Sequence, residues 1–367
     1  MRINYLSASI IPSRTANSVH VMKMCEALAA NKHDVTLFAI RGKDTASAVD
    51  WYGTKAPFDI VYTERPAGRV VGALSYAYRQ RRAAVERPLP ELFYGRFIYG
   101  LAAVAGCGVP MIFEAHTLPS NAVQQRVERW LFRQPNFRRL VVISEALKED
   151  YRRAVPGLDA DHIVVAHDGA SFLAGCVTGS PGEWPGRADA LQLGYVGHLY
   201  PGKGVEIVVQ LAKRMPEHDF HIVGGNEEEL QAWSTIACGN LFFHGFVPHA
   251  QLKWYYDHMD ICLAPLQYKV LVEGKMDIGR WTSPLKIFEY MAAARPIIAS
   301  NISVLREVLT DGVTAELVAP DDLEAWQKAV GALESKDRRE TLAGNAYREF
   351  VGRYTWQKRA AYVASFV

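Results

Sequence analysis

The sequence predicts an α/β protein of two domains, each built around a parallel β-sheet with helices on both faces. Apolar segments of strand length alternate with amphipathic segments of helix length along the chain, as in doubly wound sheets. The 367 residues, 49% of them hydrophobic, exceed one ordinary domain and suffice for two cores. A Gly- and Pro-rich stretch interrupts the alternation near the middle of the chain, as expected of a linker.

The linker at residues 173–190 separates a domain at 1–172 from a domain at 191–367. The first domain is predicted to contain the strands Ile3–Ser7, Asp34–Ile40, Val109–Glu114, Arg139–Ser144 and Ile163–Ala166, with helices at Asn17–Asn31 and Glu145–Ala154. The second is predicted to contain the strands Leu191–Val196, Phe220–Val223, Leu241–Phe243, Ile261–Ala264, Pro296–Ser300 and Ala315–Val318, with helices at Gly204–Arg214 and Pro284–Ala294. Packing of the last helix against the N-terminal domain is left open.

The cysteines and the N-terminus favour a cytoplasmic protein. Five scattered cysteines form no CxxC pair and no metal-ligand spacing: Cys25, Cys107, Cys176, Cys238 and Cys262. Residues 1–13 alternate like a strand and lack a signal-peptide cleavage site. The uncharged run from Phe97 to Phe113 contains glycines and a proline and is shorter than the roughly 20 residues of a membrane span, so we expect a helix, a turn and a buried strand.

The charge is uneven along the chain. Up to Ser171 there are 22 basic and 16 acidic residues, against 19 and 23 afterwards, so the halves carry about +6 and −4. Two basic stretches with aromatic residues, Tyr76–Arg82 and Arg126–Arg139, fit a membrane surface or an anionic acceptor, and an ordinary solvated helix surface is the alternative. No nucleic-acid motif accompanies them, so we predict no nucleic-acid partner.

A glycine-rich loop follows the first strand of the second domain. Gly197, Gly202 and Gly204 lie close together, with Lys203 among them and a helix directly after. Glycines let the backbone approach a ligand, and a helix N-terminus offers free N–H groups. Together with the charge of Lys203 they suit a diphosphate. A glycine turn with a solvated lysine is the alternative.

A second candidate site begins the helix near residue 284. Ser283 is predicted as the N-cap and Pro284 as the first helical residue, so that N–H groups there can hold an anion. Lys286 lies in the first turn. Glu289 follows one turn later, where a carboxylate can accept hydrogen bonds from sugar hydroxyls; ordinary helix capping is the alternative.

In these motifs and in their order, the sequence resembles the retaining glycosyltransferases of the GT-B fold, in particular family 4. The matching segments span nearly the whole chain: Ser18–Val21, Val142–Leu147, Asp168–Gly169, Gly197–Gly204, Gly245–Val247, Asp260–Ile261 and Ser283–Ser300. The resemblance implies two Rossmann-like domains whose parallel sheets face a central cleft. It also implies transfer of a sugar from a nucleotide-diphosphate sugar to a hydroxyl acceptor, with retention of configuration and without a metal or other cofactor.

The resemblance also implies roles for particular residues. Lys203 would bind the donor diphosphate and Glu289 would bind the ribose, and both would act in catalysis together with His116. Lys286 would add charge at the phosphates or only cover the helix end. The backbone would contact the diphosphate around Ser283, Pro284 and Leu285, and the nucleotide base at Gly245 and Phe246.

Two positions depart from the pattern of the family. His198 stands where the family usually has Arg, so one of the paired cations at the diphosphate would be weaker or dependent on pH. Trp281 stands where the family has a second carboxylate, eight positions before Glu289. Glu273 and Asp277 are substitutes from the preceding loop.

In the first domain, the resemblance places His116, after the predicted strand Val109–Glu114, against the donor sugar, with a structural histidine as the alternative. Glu114 is more readily an orienting group than a nucleophile. Asn17, at the start of the first helix, would face the diphosphate. Asp159 and Asp161 have the spacing of a metal-binding pair but precede a strand, so we predict a solvated loop and no metal site.

Other activities use the same fold. A nucleotide-sugar epimerase would need no acceptor, and a phosphorylase would carry pyridoxal phosphate on a lysine. Because Trp281 replaces a carboxylate of the family, a non-catalytic nucleotide-sugar-binding protein is a further alternative. The acceptor is a glycan, a lipid-linked glycan or a small molecule, in surface glycan or polysaccharide biosynthesis, and peripheral contact with the inner membrane face through the N-terminal domain is left open.

Overall fold

The computed structural model describes residues 1–44, 46–66, 68, 70–173, 182–233, 236, 238–272, 276–277 and 279–367. The chain divides into two compact units, one of Met1–Asp168 with Trp356–Val367 and one of Gly169–Thr355. Residues 174–181 of the predicted linker, Cys176 among them, and Glu273 lie outside the described residues.

The first unit contains one parallel sheet of seven strands. The strands are β1 (Arg2–Ile11), β2 (Asp34–Arg41), β3 (Asp59–Tyr62), β4 (Leu92–Gly95), β5 (Met111–Ala115), β6 (Phe137–Val142) and β7 (Ile163–Val165). Their order in the sheet is β3-β2-β1-β4-β5-β6-β7. The helices between them are α1 (Ala16–Ala30), α2 (Ala48–Tyr52), α3 (Val70–Val85), α4 (Ile98–Val104), α5 (Ala122–Leu131) and α6 (Glu145–Ala154).

The second unit contains a parallel sheet of six strands and a short antiparallel hairpin. The strands are β8 (Gln192–Val196), β9 (Asp219–Val223), β10 (Leu241–Gly245), β11 (Ile261–Ala264), the hairpin β12 (Leu271–Val272) and β13 (Met276–Asp277), β14 (Ile297–Ser300) and β15 (Glu316–Val318). The order in the sheet is β10-β9-β8-β11-β14-β15. The helices are α7 (Val205–Arg214), α8 (Glu227–Trp233), α9 (Leu252–His258), α10 (Leu285–Ala292), α11 (Ser303–Arg306), α12 (Leu323–Ala332) and α13 (Lys336–Arg353), and the chain closes with α14 (Trp356–Ala364), which belongs to the first unit.

Side-chain oxygens set where several helices begin. Thr15, Asn121 and Ser144 each accept a hydrogen bond from the backbone N–H three residues later, at the starts of α1, α5 and α6. Such caps satisfy one of the N–H groups that a helix leaves without an internal partner. The polar residues at the ends of apolar runs therefore fix these helix boundaries.

Strand alternation divides the core of the second unit between the two faces of its sheet. In β11, Ile261 and Leu263 pack in a cluster with Trp326, whereas Cys262 and Ala264 pack in another with Phe288. All six side chains are fully buried. Apolar residues on both faces of a strand are typical of a parallel sheet covered by helices on both sides.

The predicted fold class, two parallel α/β sheets, is confirmed. The run from Phe97 to Phe113 forms α4 and the beginning of β5, as expected. Across the described parts of the chain, no helix is both long enough and apolar enough to cross a membrane.

Candidate functional site

The glycine-rich loop of the second unit lies at the point where the order of the strands reverses. β8 is followed in the chain by β9 on one side and is bordered by β11 on the other, and crevices at such points are the usual ligand sites of open α/β sheets. Gly197 directly follows β8 and has φ +145°. Its N–H donates to the carbonyl of Val223 over 2.9 Å, so the backbone beside the site is held in place.

Two lysine ammonium groups lie near this loop. Lys286, on the first turn of α10, has a buried Nζ that finds no hydrogen-bond acceptor among the described residues. This Nζ lies 3.6 Å from the centroid of the Tyr195 ring. It is also 3.0 Å from where a Cβ on Gly197 would lie. A side chain at Gly197 would therefore fill the space beside the ammonium.

Lys203 supplies the second ammonium, 5.0 Å from the centroid of the Tyr200 ring. Burial lowers the pKa of Lys203 to about 8. Burial and then the nearby charge of Lys203 hold the pKa of Lys286 well below its ordinary value. Two cations kept close together and poorly solvated favour a bound anion, because the anion relieves both penalties.

α10 begins one residue later than predicted. Leu285 is its first residue, and Pro284 occupies the capping position with no side-chain hydrogen bond. The prediction that Ser283 caps this helix was therefore wrong, since Ser283 precedes the capping position. Pro284 has no N–H to offer an anion, so the free donors of this helix start are the N–H groups from Leu285 onwards.

Glu289, on α10, is buried and accepts two hydrogen bonds. Nε2 of His249 lies 2.8 Å from Oε1, and the Tyr256 hydroxyl donates to Oε2 over 2.7 Å. Burial raises the pKa of Glu289, but the contacts with His249 and Tyr256 outweigh it and leave this pKa below its ordinary value. The carboxylate is thus ionised and fixed in direction, with lone pairs left for ligand hydroxyls.

His198 lies half-buried in the loop after β8. Burial lowers its pKa, and the charges of Lys203 and Lys286 lower it further against the opposing effect of Glu229. The His198 ring is therefore neutral near pH 7.

The structure also describes the other predicted positions of the second unit. Gly245 ends β10 with φ +69°, and its carbonyl accepts from the N–H of Gly224 over 2.7 Å; Phe246 follows it. Trp281 is half-buried. Oδ1 of Asp277 accepts from the N–H groups of Val270 and Gly279, so this carboxylate already supports a turn.

In the first unit, a buried group of charged side chains surrounds Glu114 at the end of β5. His116 Nε2 lies 2.6 Å from Oε1 of Glu114, and His20 Nε2 lies 2.7 Å from the same oxygen. On its other side, Nδ1 of His20 lies 2.9 Å from Asp168. Arg359, on α14, approaches both oxygens of Glu114 at 3.1 and 3.2 Å.

The spacing of this group meets one requirement of a metal site. One ligating atom each of His20, Glu114 and His116 lies within 4.8 Å of the others. The Glu114 carboxylate, however, is already paired with the Arg359 guanidinium and accepts from the Tyr94 hydroxyl. A cation there would lie beside a permanent positive charge, so the donor set does not suit a metal ion.

Asn17 lies exposed at the start of α1. Its Nδ2 donates to Oγ of Ser9, near the end of β1, over 2.7 Å. Asp159 accepts from the N–H of Asp161 in a short exposed 3-10 turn, as expected of a solvated loop.

Several residues of these sites were missed from the sequence. His20 lay within a motif of the resemblance, but no role was assigned to it. His249, Tyr256 and Arg359 carry no local signal, because they contact Glu289 or Glu114 from 40, 33 and 245 positions away.

Two family descriptions match the chain. Residues 18–171 match Glycosyltransferase Family 4, and residues 190–336 match Glycosyl transferases group 1. Among curated proteins, a phosphatidyl-myo-inositol mannosyltransferase of Mycolicibacterium smegmatis is 28% identical over 329 residues, which are 88% of this chain and 74% of that protein. A Klebsiella pneumoniae protein of unassigned function from a cps region is 26% identical over 37% of this chain and 35% of that protein.

Solved structures resemble the whole chain. Anabaena HepE in complex with UDP superposes with a TM-score of 0.72 at 16% identity, covering 100% of this chain and 99% of that one. A sucrose-phosphate synthase from Thermosynechococcus elongatus has a TM-score of 0.73 at 16% identity, covering 100% and 98%. At these identities the likeness concerns the fold.

Proposed function

The chain belongs to the family 4 glycosyltransferases of group 1, and on this basis we propose that it moves a sugar from a nucleotide-diphosphate sugar to a hydroxyl acceptor with retention of configuration and without a metal. The observation that carries the proposal is the pair of ammonium groups at Gly197. Lys286 is buried without an acceptor among the described residues, and Lys203 has a lowered pKa. Both are therefore suited to a bound anion.

Several predicted residues of the second unit have roles in this proposal. Lys203 and Lys286 neutralise the diphosphate, with His198 joining them once the bound anion favours its protonated form. Glu289 accepts from the ribose hydroxyls, and the backbone at Gly245 and Phe246 contacts the base. The N–H groups at the start of α10 complete the phosphate contacts.

In the proposed reaction, the acceptor oxygen attacks the anomeric carbon on the same face from which the diphosphate leaves. The bond between the anomeric carbon and the phosphate oxygen breaks through an oxocarbenium-like state, and a new bond forms to the acceptor oxygen. The leaving phosphate oxygen takes the proton of the acceptor hydroxyl. Lys203 and Lys286 stabilise the charge that develops on the leaving diphosphate, a form of electrostatic preorganisation. His116 keeps its predicted role against the donor sugar.

The relatives suggest chemical classes for both substrates. HepE structures are described with UDP and with UDP-glucose, and relatives are named for GDP-mannose and phosphatidyl-myo-inositol. We extend to this chain a uridine or guanosine diphosphate hexose as donor and a glycan or lipid-linked hydroxyl as acceptor, in surface glycan biosynthesis at the cytoplasmic face of a membrane.

A membrane-surface contact is supported by α3. Its outward side carries the exposed side chains of Val71, Leu74 and Tyr78, at 76, 53 and 64% exposure. Arginines 79, 81 and 82 follow on the same helix. Exposed apolar residues beside arginines suit the boundary of an anionic bilayer. Co-sedimentation with phosphatidylglycerol vesicles should fall in a Leu74→Ser/Tyr78→Ser variant and not in Val351→Ser, an exposed valine on α13.

Calorimetry against UDP, GDP and their hexose conjugates, with and without EDTA, tests the donor proposal. We expect chelator-resistant binding of one sugar nucleotide. In turnover measurements, Lys203→Ala should lose at least ~2 kcal/mol of transition-state stabilisation. Lys213→Ala, at the C-terminal end of α7, is the matched control. No binding across the panel would remove the proposal.

Turnover distinguishes the rival activities. Conversion of the sugar nucleotide without an acceptor would indicate an epimerase, and a yellow chromophore would indicate a phosphorylase with pyridoxal phosphate. Binding without hydrolysis or transfer would indicate a non-catalytic protein.

A further inference from the structure

The last helix of the chain contributes a buried arginine to the charged group around Glu114. Arg359 is 4% exposed. Its Nε donates to the carbonyl of His167 over 3.0 Å, and its Nη2 donates to the carbonyl of Ala166 over 3.2 Å. These two backbone contacts, at the end of β7, fix the plane of the guanidinium.

We propose that Arg359 is a positioning residue: it fixes the Glu114 carboxylate, and through it the tautomer of His116, so that His116 presents Nδ1 as a hydrogen-bond acceptor to a hydroxyl of the substrate. The substrate part of this inference rests on the proposed function, whereas the tautomer does not.

The first step is the pairing of Arg359 with Glu114. One guanidinium nitrogen lies 3.2 Å from Oε2 and the other 3.1 Å from Oε1, the two-pronged geometry in which Arg binds a carboxylate most strongly. Burial raises the pKa of Glu114, but Arg359 and then His20 outweigh this and keep the pKa well below its ordinary value. Glu114 is therefore ionised and can only accept hydrogen bonds.

The second step is the contact of Glu114 with His116. Nε2 of His116 lies 2.6 Å from Oε1 of Glu114, so Nε2 must carry the hydrogen. Burial, and next the charge of Arg96, lower the pKa of His116 to about 3. The ring is therefore neutral near pH 7, and a neutral imidazole with a hydrogen on Nε2 has its lone pair on Nδ1.

The third step is the direction in which Nδ1 faces. Within the described part of the chain, no contact of Nδ1 is recorded, and the His116 side chain is 18% exposed. His20, packed edge-on against the ring with centroids 4.8 Å apart, restricts its rotation. A hydrogen-bond acceptor at a partly exposed position favours ligands that carry a hydrogen-bond donor. A sugar hydroxyl is such a donor.

The tautomer can be read directly from the ¹⁵N shifts of the His116 ring, in Arg359→Lys, Arg359→Met and Glu114→Gln variants of the full chain. We expect hydrogen on Nε2 in the wild type and in Arg359→Lys, which keeps the charge. In Arg359→Met and Glu114→Gln the preference for this tautomer should be lost. Lys358→Met removes a charge from the exposed side of the same helix and should leave the shifts unchanged.

Activity gives the second readout. We expect kcat to fall about 10- to 100-fold in Arg359→Met, as for other groups that orient an imidazole, with unchanged affinity for the nucleotide and partial recovery in Arg359→Lys. A donor lacking the selected hydroxyl should be a poor substrate for the wild type and little affected by His116→Ala.

Two results would overturn the inference. One is an unchanged tautomer in Arg359→Met, or in Glu114→Gln if the methionine variant fails to fold. The other is an equal loss of activity in the lysine and methionine variants. If instead the wild type binds no sugar nucleotide while the tautomer follows Arg359, the proposed function fails and the positioning role stands.

Discussion

At the scale of single residues, Lys203 determines how nucleotide binding should depend on pH. Its pKa in the folded protein, about 8, lies below the ordinary value for lysine. A bound diphosphate favours the charged ammonium. Above pH 8 the ligand must therefore bind together with a proton, and affinity should fall as pH rises.

Calorimetry between pH 7 and 10, in buffers of different ionisation enthalpy, checks this by measuring proton uptake. Lys203→Arg is the matched variant, because a guanidinium stays charged throughout this range. We expect this variant to lose the part of the pH dependence that Lys203 contributes, while Lys286, whose pKa is also lowered, keeps its own part. An identical profile in both proteins would show that Lys203 is not the group that titrates.

Glu289 allows the ligand role of a carboxylate to be separated from its structural role. Glu289→Ala should weaken binding of nucleoside diphosphates and lower the free energy of unfolding by about 1–3 kcal/mol, because His249 and Tyr256 lose their buried partner. The protein should still fold.

Tyr256→Phe is the matched comparison, since it removes one hydrogen bond to Glu289 and keeps the carboxylate. We expect a loss of stability of about 1 kcal/mol with little loss of affinity. Denaturant unfolding and nucleotide titration of both variants provide the measurements. Equal losses of affinity would instead assign binding to the whole hydrogen-bonded group.

At the scale of elements, the turn between β8 and α7 depends on the absence of a side chain at Gly197. An alanine there would adopt a φ of +145° and place its Cβ 3.0 Å from Nζ of Lys286. We expect Gly197→Ala to lower the free energy of unfolding by about 1–3 kcal/mol, as is typical of such backbone strain, and to lower diphosphate affinity because the Cβ fills the space beside the ammonium.

Gly239→Ala is the control, because no atom of the described residues lies within 4 Å of the added Cβ and the φ of Gly239 is outside the left-handed region. Its affinity and melting temperature should match those of the wild type. If the two alanine variants bind alike, Gly197 does not shape the anion site.

Elements with strong local signals could be predicted from the sequence. The predicted bounds of α6 and β11 agree with the structure: Ser144 caps the helix, and a fully apolar run forms the strand. β3 and β4 were not predicted. Pro284 was taken as helical on residue preference alone, but its ψ of 113° is extended.

The candidate sites were predicted to the extent that their residues are neighbours in sequence. Lys203 and Glu289 lie in motifs whose residue types indicate phosphate and hydroxyl binding. The partners that fix Glu289 and Glu114 come from other elements of the same unit, and only the topology brings them together. The pairing of Arg359 with Glu114 depends on a helix that follows the entire second unit in the chain.

At the scale of the whole molecule, α14 ties the stability of the first unit to the last residues of the chain. Deleting residues 356–367 removes Arg359 and leaves the Glu114 carboxylate buried without its cation. Breaking a buried ion pair from one side costs about 3–5 kcal/mol. The deletion should therefore destabilise residues 1–168 and leave residues 169–355 nearly unaffected.

Hydrogen exchange followed by proteolytic fragmentation measures the two units separately. Deletion of Val367 alone, an exposed residue beyond the end of α14, is the control and should change neither. Equal loss of protection in both units would show that the helix stabilises the chain in general.

The return of α14 also sets an order of events during translation. The chain leaves the first unit at Asp168 and re-enters it at Trp356, so a ribosome synthesises the whole second unit before the first can be completed. Until Arg359 emerges, the nascent first unit must keep Glu114 solvated or protonated. A transcript truncated before the codon for Arg359 would thus yield a first unit in which the buried Glu114 has no arginine partner. Chaperones and proteases can recognise such a form.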